Sequence, residues 1–326
     1  DFFAEFDSLV DFYPSYDEHF FPRPLYDLMA EAATVPILAS STNREGFWPA
    51  FLIPNRFAID PSRPIRPGRF GELVVRLFKR YHLLNETLSV SGLDQEWLRA
   101  ARIAYGSDFE LVEVDSSGEL DVRATGQPYD PLERTRSYVD ACGDAIFIVD
   151  TAEMVGKMRK VDSTVWYYHL DYVNPGVFAS DQLIRGVSHG WDLPYLFNAT
   201  LMTPVTAEQL SQPVDRQVLE FLTGATVDFV KYGDPTVSYS SVADWRPTTD
   251  DKPLQALHIG SQMPPRMRDG RETEKKLKFW LQYLPRIIRR YFPRNRRFYR
   301  NTGSFQIDTE YFERKVEQNK ATYHAD

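Results

Sequence analysis

Short apolar runs alternate with helix-period segments along most of this chain, and that alternation restricts its fold more than any other feature. Residues 34–40 (TVPILAS) form a brief apolar run bounded by polar residues, as suits a buried strand. Residues 164–172 (TVWYYHLDY) are dense in β-branched and aromatic side chains and predict a second strand. Residues 254–260 (LQALHIG) predict a third. Helical spacing lies before and between them. A short helix is expected near residues 24–33, and another over 71–84 with Leu73, Leu77, Tyr81 and Leu84 on one face. Gly143-Asp144 reads as the cap of a helix running to Lys160, where Lys157, Arg159 and Lys160 suit its negative C-terminal end. Pro213 opens a helix with the stripe Val214, Val218, Leu222, Ala225 and Phe229, and Gly233-Asp234-Pro235 ends it. Residues 273–292 carry Leu277, Leu281, Leu284 and Ile288 in register, and Pro285 is expected to kink this helix or start a new turn. Residues 116–131 are turn-rich and predict a surface loop. Strands alternating with helices predict the α/β class.

Composition narrows the function. The chain has 326 residues, 43% of them hydrophobic, enough for a large buried core. A net charge of -8 argues against global nucleic-acid binding. No run approaches the ~20 apolar residues of a membrane span. A single cysteine, Cys142, excludes an internal disulfide. His82, His169 and His258 do not fall at metal-ligand spacings, so no metal is expected. The chain begins at Asp1 with no charged start and apolar core, so no signal peptide is expected and the chain reads as a piece of something longer. Two N-x-[ST] sequons, at Asn85 and Asn198, are glycosylation candidates compatible with a secreted or extracellular location. No linker divides residues 1–290. Arg286, Arg289, Arg290, Arg294, Arg296, Arg297 and Arg300 then crowd one stretch, and residues 291–326 read as a basic, then polar, tail or linker. The arginines suit either a solvated helix face or a surface for acidic lipid headgroups or an acidic partner.

Residues 186–197 (GVSHGWDLPYLF) carry the chemistry and admit two readings. Gly186 to Gly190 fits the nucleophile-elbow pattern G-x-S-x-G, with Ser188 at its centre. An elbow needs an apolar strand before it and a helix after it. Residues 180–185 (SDQLIR) are too polar for a central strand, and Pro194 falls where the first helical turns belong. The other reading makes His189 a general base, projected by a loop between two glycines. Such a base needs a carboxylate to fix its tautomer. Glu45 is the candidate, on a tight loop (STNREG) directly after the first predicted strand. In open α/β sheets working groups collect at the carboxyl ends of strands.

Taken in order, these segments resemble the C-terminal half of the type-B carboxylesterase and cholinesterase family of α/β hydrolases. The resemblance rests on residues 14–24 (PSYDEHFFPRP), 35–47 (VPILASSTNREGF), Asp144 with Phe147, GVSHGWDLPYLF, 229–235 (FVKYGDP) followed by Trp245, and 278–285 (KFWLQYLP). It implies a mixed, mostly parallel sheet with helices on both faces. It places Glu45 on the triad acid, His189 on the triad histidine and Ser188 on a variable position. It also implies that the nucleophile serine and the oxyanion-hole glycines belong to an N-terminal half that this chain does not contain, so the chain alone is expected to be inactive. The resemblance places two half-cystines of cholinesterases in the neighbourhood of Val149 and Leu277 here, with Cys142 near the first but not on it.

Two function classes follow from the resemblance. One is carboxylic ester hydrolysis of a small ester substrate, with no cofactor. The other is a non-catalytic cell-surface adhesion protein of the neuroligin or gliotactin kind, with a protein partner and a membrane tether beyond the tail. Glu45 and His189 do not discriminate, because non-catalytic relatives can keep both. By the same analogy the helices over 206–232 and 273–292 are candidate surfaces for a homodimer.

Overall fold

The computed structural model describes residues 35–52, 58–60, 62–81, 92–105, 109–114, 120–124, 131–161, 163–177, 184–197, 212–238 and 244–291, with His19, Pro22, Leu28 and Glu31. Asn85, Asn198, most of residues 24–33 and the tail beyond 291 lie outside the described residues.

Strand β1 (Ile37–Thr42) sits later than the 34–40 run predicts. Pro36 explains the shift, since it has no N–H for the ladder and pairing begins at the next residue, with Ile37 N–H donating to Thr164 O at 2.8 Å. Helix α1 (Pro67–Tyr81) starts on its proline, where a missing N–H costs nothing. Helix α2 (Leu93–Tyr105) was not anticipated, although Leu93, Trp97, Ala100 and Ala101 form its buried stripe. Strands β2 (Phe109–Val114) and β3 (Leu120–Ala124) form an antiparallel hairpin. This corrects the predicted loop at 116–131. The period-2 alternation Leu120-Asp121-Val122-Arg123-Ala124 is only five residues long and is masked by the flanking glycines and serines.

Helix α3 (Pro131–Gly143) continues through a π-helical turn, Asp144–Ile148, into α4 (Val149–Lys160). Gly143 is therefore not a cap. Its backbone is right-handed helical, at φ -62° and ψ -44°. Strand β4 (Val165–Leu170), the short helix α5 (Leu193–Phe197) and helix α6 (Pro213–Tyr232) follow. Helix α6 matches its prediction. Gln212 and Asp215 form a reciprocal capping box at its start, and Gly233 closes it in the left-handed region at φ 71°. Strands β5 (Ala256–Ile259) and β6 (Arg266–Arg268) lead into α7 (Arg271–Lys278), a π-helical turn at Phe279–Tyr283, and α8 (Leu284–Tyr291). Pro285 donates no hydrogen bond, and the widened turn directly before it absorbs that loss.

The main sheet runs β1-β4-β5-β6, with the first three strands parallel and β6 antiparallel to β5. Alternation along β4 divides its side chains between two faces. Val165 and Tyr167 pack with Ala152, Val155 and Met158 of α4. Trp166, Tyr168 and Leu170 pack with Val218, Phe221, Leu222 and Ala225 of α6. The chain is thus an α/β fold with a mixed sheet covered on both faces.

A further core lies among α1, α2, α3 and α8. Phe78 meets Trp280 edge-on at 5.1 Å between ring centroids and Trp97 at 6.1 Å. Trp280 Nε1–H donates to Tyr105 Oη at 2.7 Å, and Tyr105 donates to the buried carboxylate of Asp144 at 2.8 Å. Lys276 Nζ completes this group at 3.1 Å from Asp144. Val149 is buried in this core and Leu277 packs against it. Of the crowded arginines, Arg290 is already paired with Glu96 at 3.1 Å. Truncating Trp280 empties the middle of the core and removes a donor. The Trp280→Ala variant should lose about 3–5 kcal/mol of unfolding free energy, measured by urea titration.

Candidate active site

The parallel strands end side by side, and the loops that leave β1 and β4 meet there. Asn43 N–H donates to Leu170 O at 3.2 Å, Arg44 N–H to Val187 O at 2.9 Å, and Val187 N–H to the Asn43 side-chain oxygen at 2.7 Å. These bonds fasten the loop that carries Glu45 to the loop that carries His189.

Two glycine positions make the fit possible. A Cβ on Gly46 would sit 1.8 Å from Val139 O, so the turn after Glu45 presses directly on the α3 backbone. A Cβ on Gly186 would sit 1.9 Å from Arg44 Cγ, so the Arg44 stem occupies the space a side chain would need. Arg44 then reaches Asp140 on α3 as an ion pair.

Glu45 is buried, and Thr42 N–H donates to its Oε1 at 2.6 Å. Its other oxygen, Oε2, lies 2.8 Å from His189 Nδ1. A carboxylate at Nδ1 selects the tautomer with the proton on that nitrogen and leaves Nε2 as a free base. The imidazole is 45% exposed, so Nε2 can meet a reactant. Phe147, in the π-helical turn after α3, stacks on the imidazole at 4.0 Å and 14° between planes, and Trp48 lies 5.7 Å away. These two aromatics orient the ring. The sequence had marked Phe147 only as part of a family helix start, because a ring contact across this distance in sequence leaves no local pattern.

Asp192 fixes the far side of the histidine loop. It accepts from Tyr168 Oη at 3.0 Å and Ser40 Oγ at 3.4 Å. Burial and the adjacent Asp192 carboxylate push the Tyr168 phenol well above its usual range, so it remains a donor. Ser188 is fully buried and its hydroxyl has no hydrogen-bond partner among the described residues. No strand precedes it over residues 184–187. Both features are the reverse of a nucleophile elbow.

Residues 2–280 match the carboxylesterase family. The chain belongs to this family. It is 25% identical over 256 residues to the esterase cest-33 of Caenorhabditis elegans, covering 77% of this chain and 40% of that protein. It is 25% identical over 278 residues to the bile salt-activated lipase of Bos taurus, covering 84% of this chain and 40% of the lipase. The human bile salt-activated lipase is 24% identical over 243 residues, covering 74% of this chain and 28% of that protein. The chain therefore spans at most about two-fifths of these curated relatives.

The structure also brings together residues that sequence spacing kept apart. His169 and His258 are register partners on β4 and β5, and Asp171 follows the end of β4. Asp171 lies 3.2 Å from His169 Nε2 and 2.6 Å from His258 Nδ1. This corrects the expectation that these histidines do not cluster. Burial opposes ionisation of Asp171, but hydrogen bonds from both histidines outweigh it and hold the carboxyl well below the usual range. Burial lowers the His258 pKa.

The Gly46 contact yields a direct test. The Gly46→Ala variant forces a methyl into backbone and should cost about 3 kcal/mol or more. It should also displace Glu45 from His189. Urea unfolding reads the first effect. The His189 Nδ1 proton resonance, which the Glu45 hydrogen bond protects from exchange, reads the second.

Proposed function

We propose that this chain supplies the acid and the general base, Glu45 and His189, of a serine carboxylic ester hydrolase whose nucleophile lies outside the chain. The observation that carries this reading is the 2.8 Å contact from buried Glu45 to Nδ1 of the exposed His189 imidazole. Membership of the carboxylesterase family supports it.

In this mechanism a serine hydroxyl attacks the ester carbonyl carbon while His189 Nε2 takes its proton. Glu45 stabilises the imidazolium that results. The tetrahedral intermediate collapses, the C–O bond to the alcohol breaks, and His189 returns the proton to the leaving alkoxide. Water then attacks the acyl-enzyme by the same route, releasing the acid and restoring the serine. No cofactor is needed for these steps. The sequons at Asn85 and Asn198 support placing the protein outside the cell. In that case enzymatic deglycosylation should lower its mass.

The chain by itself should show no ester turnover and no labelling by a fluorophosphonate probe. In the full polypeptide that carries it, an activated serine should label, and both His189→Ala and Glu45→Gln should lower kcat by about 10³-fold or more. Labelling of Ser188 in the isolated chain, abolished by Ser188→Ala, would overturn the assignment. A folded full polypeptide that neither labels nor turns over esters would instead move the protein to the adhesion class.

A further inference from the structure

The convergence of His169, Asp171 and His258 has no place in the mechanism above. We propose that these three residues form a binding site for a divalent first-row metal ion of the zinc class. The ligands are His169 Nε2, one Asp171 carboxylate oxygen and His258 Nδ1, with a fourth position left for water. This inference is independent of the esterase reading.

Strand register supplies the first argument. His169 and His258 are opposite each other in a parallel pair, so both side chains leave the same face of the sheet. One ligand atom from each of the three residues lies within 4.8 Å of the others. Tetrahedral zinc with bonds of about 2.0–2.2 Å requires ligand atoms about 3.3–3.5 Å apart. Asp171 Oδ1 lies 3.2 Å from His169 Nε2 and Oδ2 lies 2.6 Å from His258 Nδ1, so the carboxylate would turn to present one oxygen to an ion between the two nitrogens.

The surroundings supply the second argument. Ser41 Oγ lies 2.8 Å from His169 Nδ1, and Tyr167 Oη lies 2.7 Å from Ser41 Oγ. A ligating histidine ordinarily donates its other N–H to such an oxygen, which fixes the ring and leaves the ligating nitrogen unprotonated. All three ligands line one cavity of about 220 Å³, which gives an entry path and room for the fourth ligand. Two neutral imidazoles and one carboxylate suit a borderline cation better than calcium or magnesium, which take oxygen ligands. Arg268 approaches Asp171 at 4.0 Å, but it is 67% exposed and can turn to solvent at little cost.

The site would also have a structural effect near the acid. Ser41 is the neighbour of Thr42, whose N–H holds Glu45. A metal joining β4 to β5 would stiffen the end of β4, which pairs with the end of β1 from which the Glu45 loop departs.

Without a metal, the same three groups are held by protons, with each imidazole donating to Asp171. The experiment must separate these two states. The full polypeptide, made without a polyhistidine tag and stripped with a chelator, would be titrated with Zn²⁺ and with Co²⁺. We expect one equivalent of zinc to survive desalting, a raised melting temperature, and visible cobalt absorption bands of a four-coordinate site. Asp171→Asn and His258→Gln should abolish retention, and Ser41→Ala should weaken it about 10–100-fold. His189→Ala should retain zinc fully. Absence of cobalt bands and of stoichiometric zinc in the folded wild-type protein would overturn the proposal. So would equal retention by Asp171→Asn, or loss in His189→Ala alone. The cobalt spectrum is taken on the unmodified protein, so misfolding of a variant does not blunt the test.

Discussion

Gly46 meets the backbone of α3 with no space for a side chain, and the placement of Glu45 in the candidate active site depends on that contact. With the turn held against Val139 O, Glu45 is buried and its carboxylate is directed back to Thr42 N–H and across to His189. Gly143 faces the same contact from α3, where a Cβ would stand 2.8 Å from Gly46 N. Helix α3 then runs straight into the π-helical turn that presents Phe147 to the imidazole. Acid, base and aromatic support are thus placed by one close approach of two backbones. Such an approach tolerates almost no change, because the neighbour is peptide rather than a flexible side chain.

The sheet provides the frame into which that contact fits. Three parallel strands end together, so loops distant in sequence leave from neighbouring points. Period-2 alternation sends one set of β4 side chains to α4 and the other to α6. Toward the strand ends the α4-side face changes from apolar to polar, through Tyr167, Ser41, His169 and His258. Burying polar groups there is tolerable because each has a partner. The same hydrogen-bonded run passes from the histidine cluster to Ser41 and, one residue on, to the amide that holds Glu45. The two polar centres therefore share a strand end.

On the proposed reading Glu45 and His189 are an acid and a base that need a nucleophile from elsewhere, and the chain spans at most about two-fifths of its curated relatives. The buried, unpartnered Ser188 hydroxyl does not fill the gap. Its neighbour matters instead. The Gly186–Gly190 segment serves to lay Arg44 beneath the loop and to lift His189 above it.

Local pattern carried a definite part of this result. Helix α6 could be read complete with its proline start and left-handed glycine stop, because capping acts within a few residues. Strand β4 and its neighbours showed in their β-branched and aromatic composition, Glu45 stood out on a tight loop directly after a predicted strand, and His189 stood out between two glycines. Helix α2 and the β2–β3 hairpin escaped because short, charged elements take their order from packing rather than from a strong intrinsic period. The pairing of His169 with His258, the stacking of Phe147 and the fit of Arg44 into the Gly186 slot are contacts between remote segments. Sequence spacing reports neighbours along the chain. Which side chains share a volume is set by strand register and by backbone approach, and those exist only once the sheet and its helices have closed on each other.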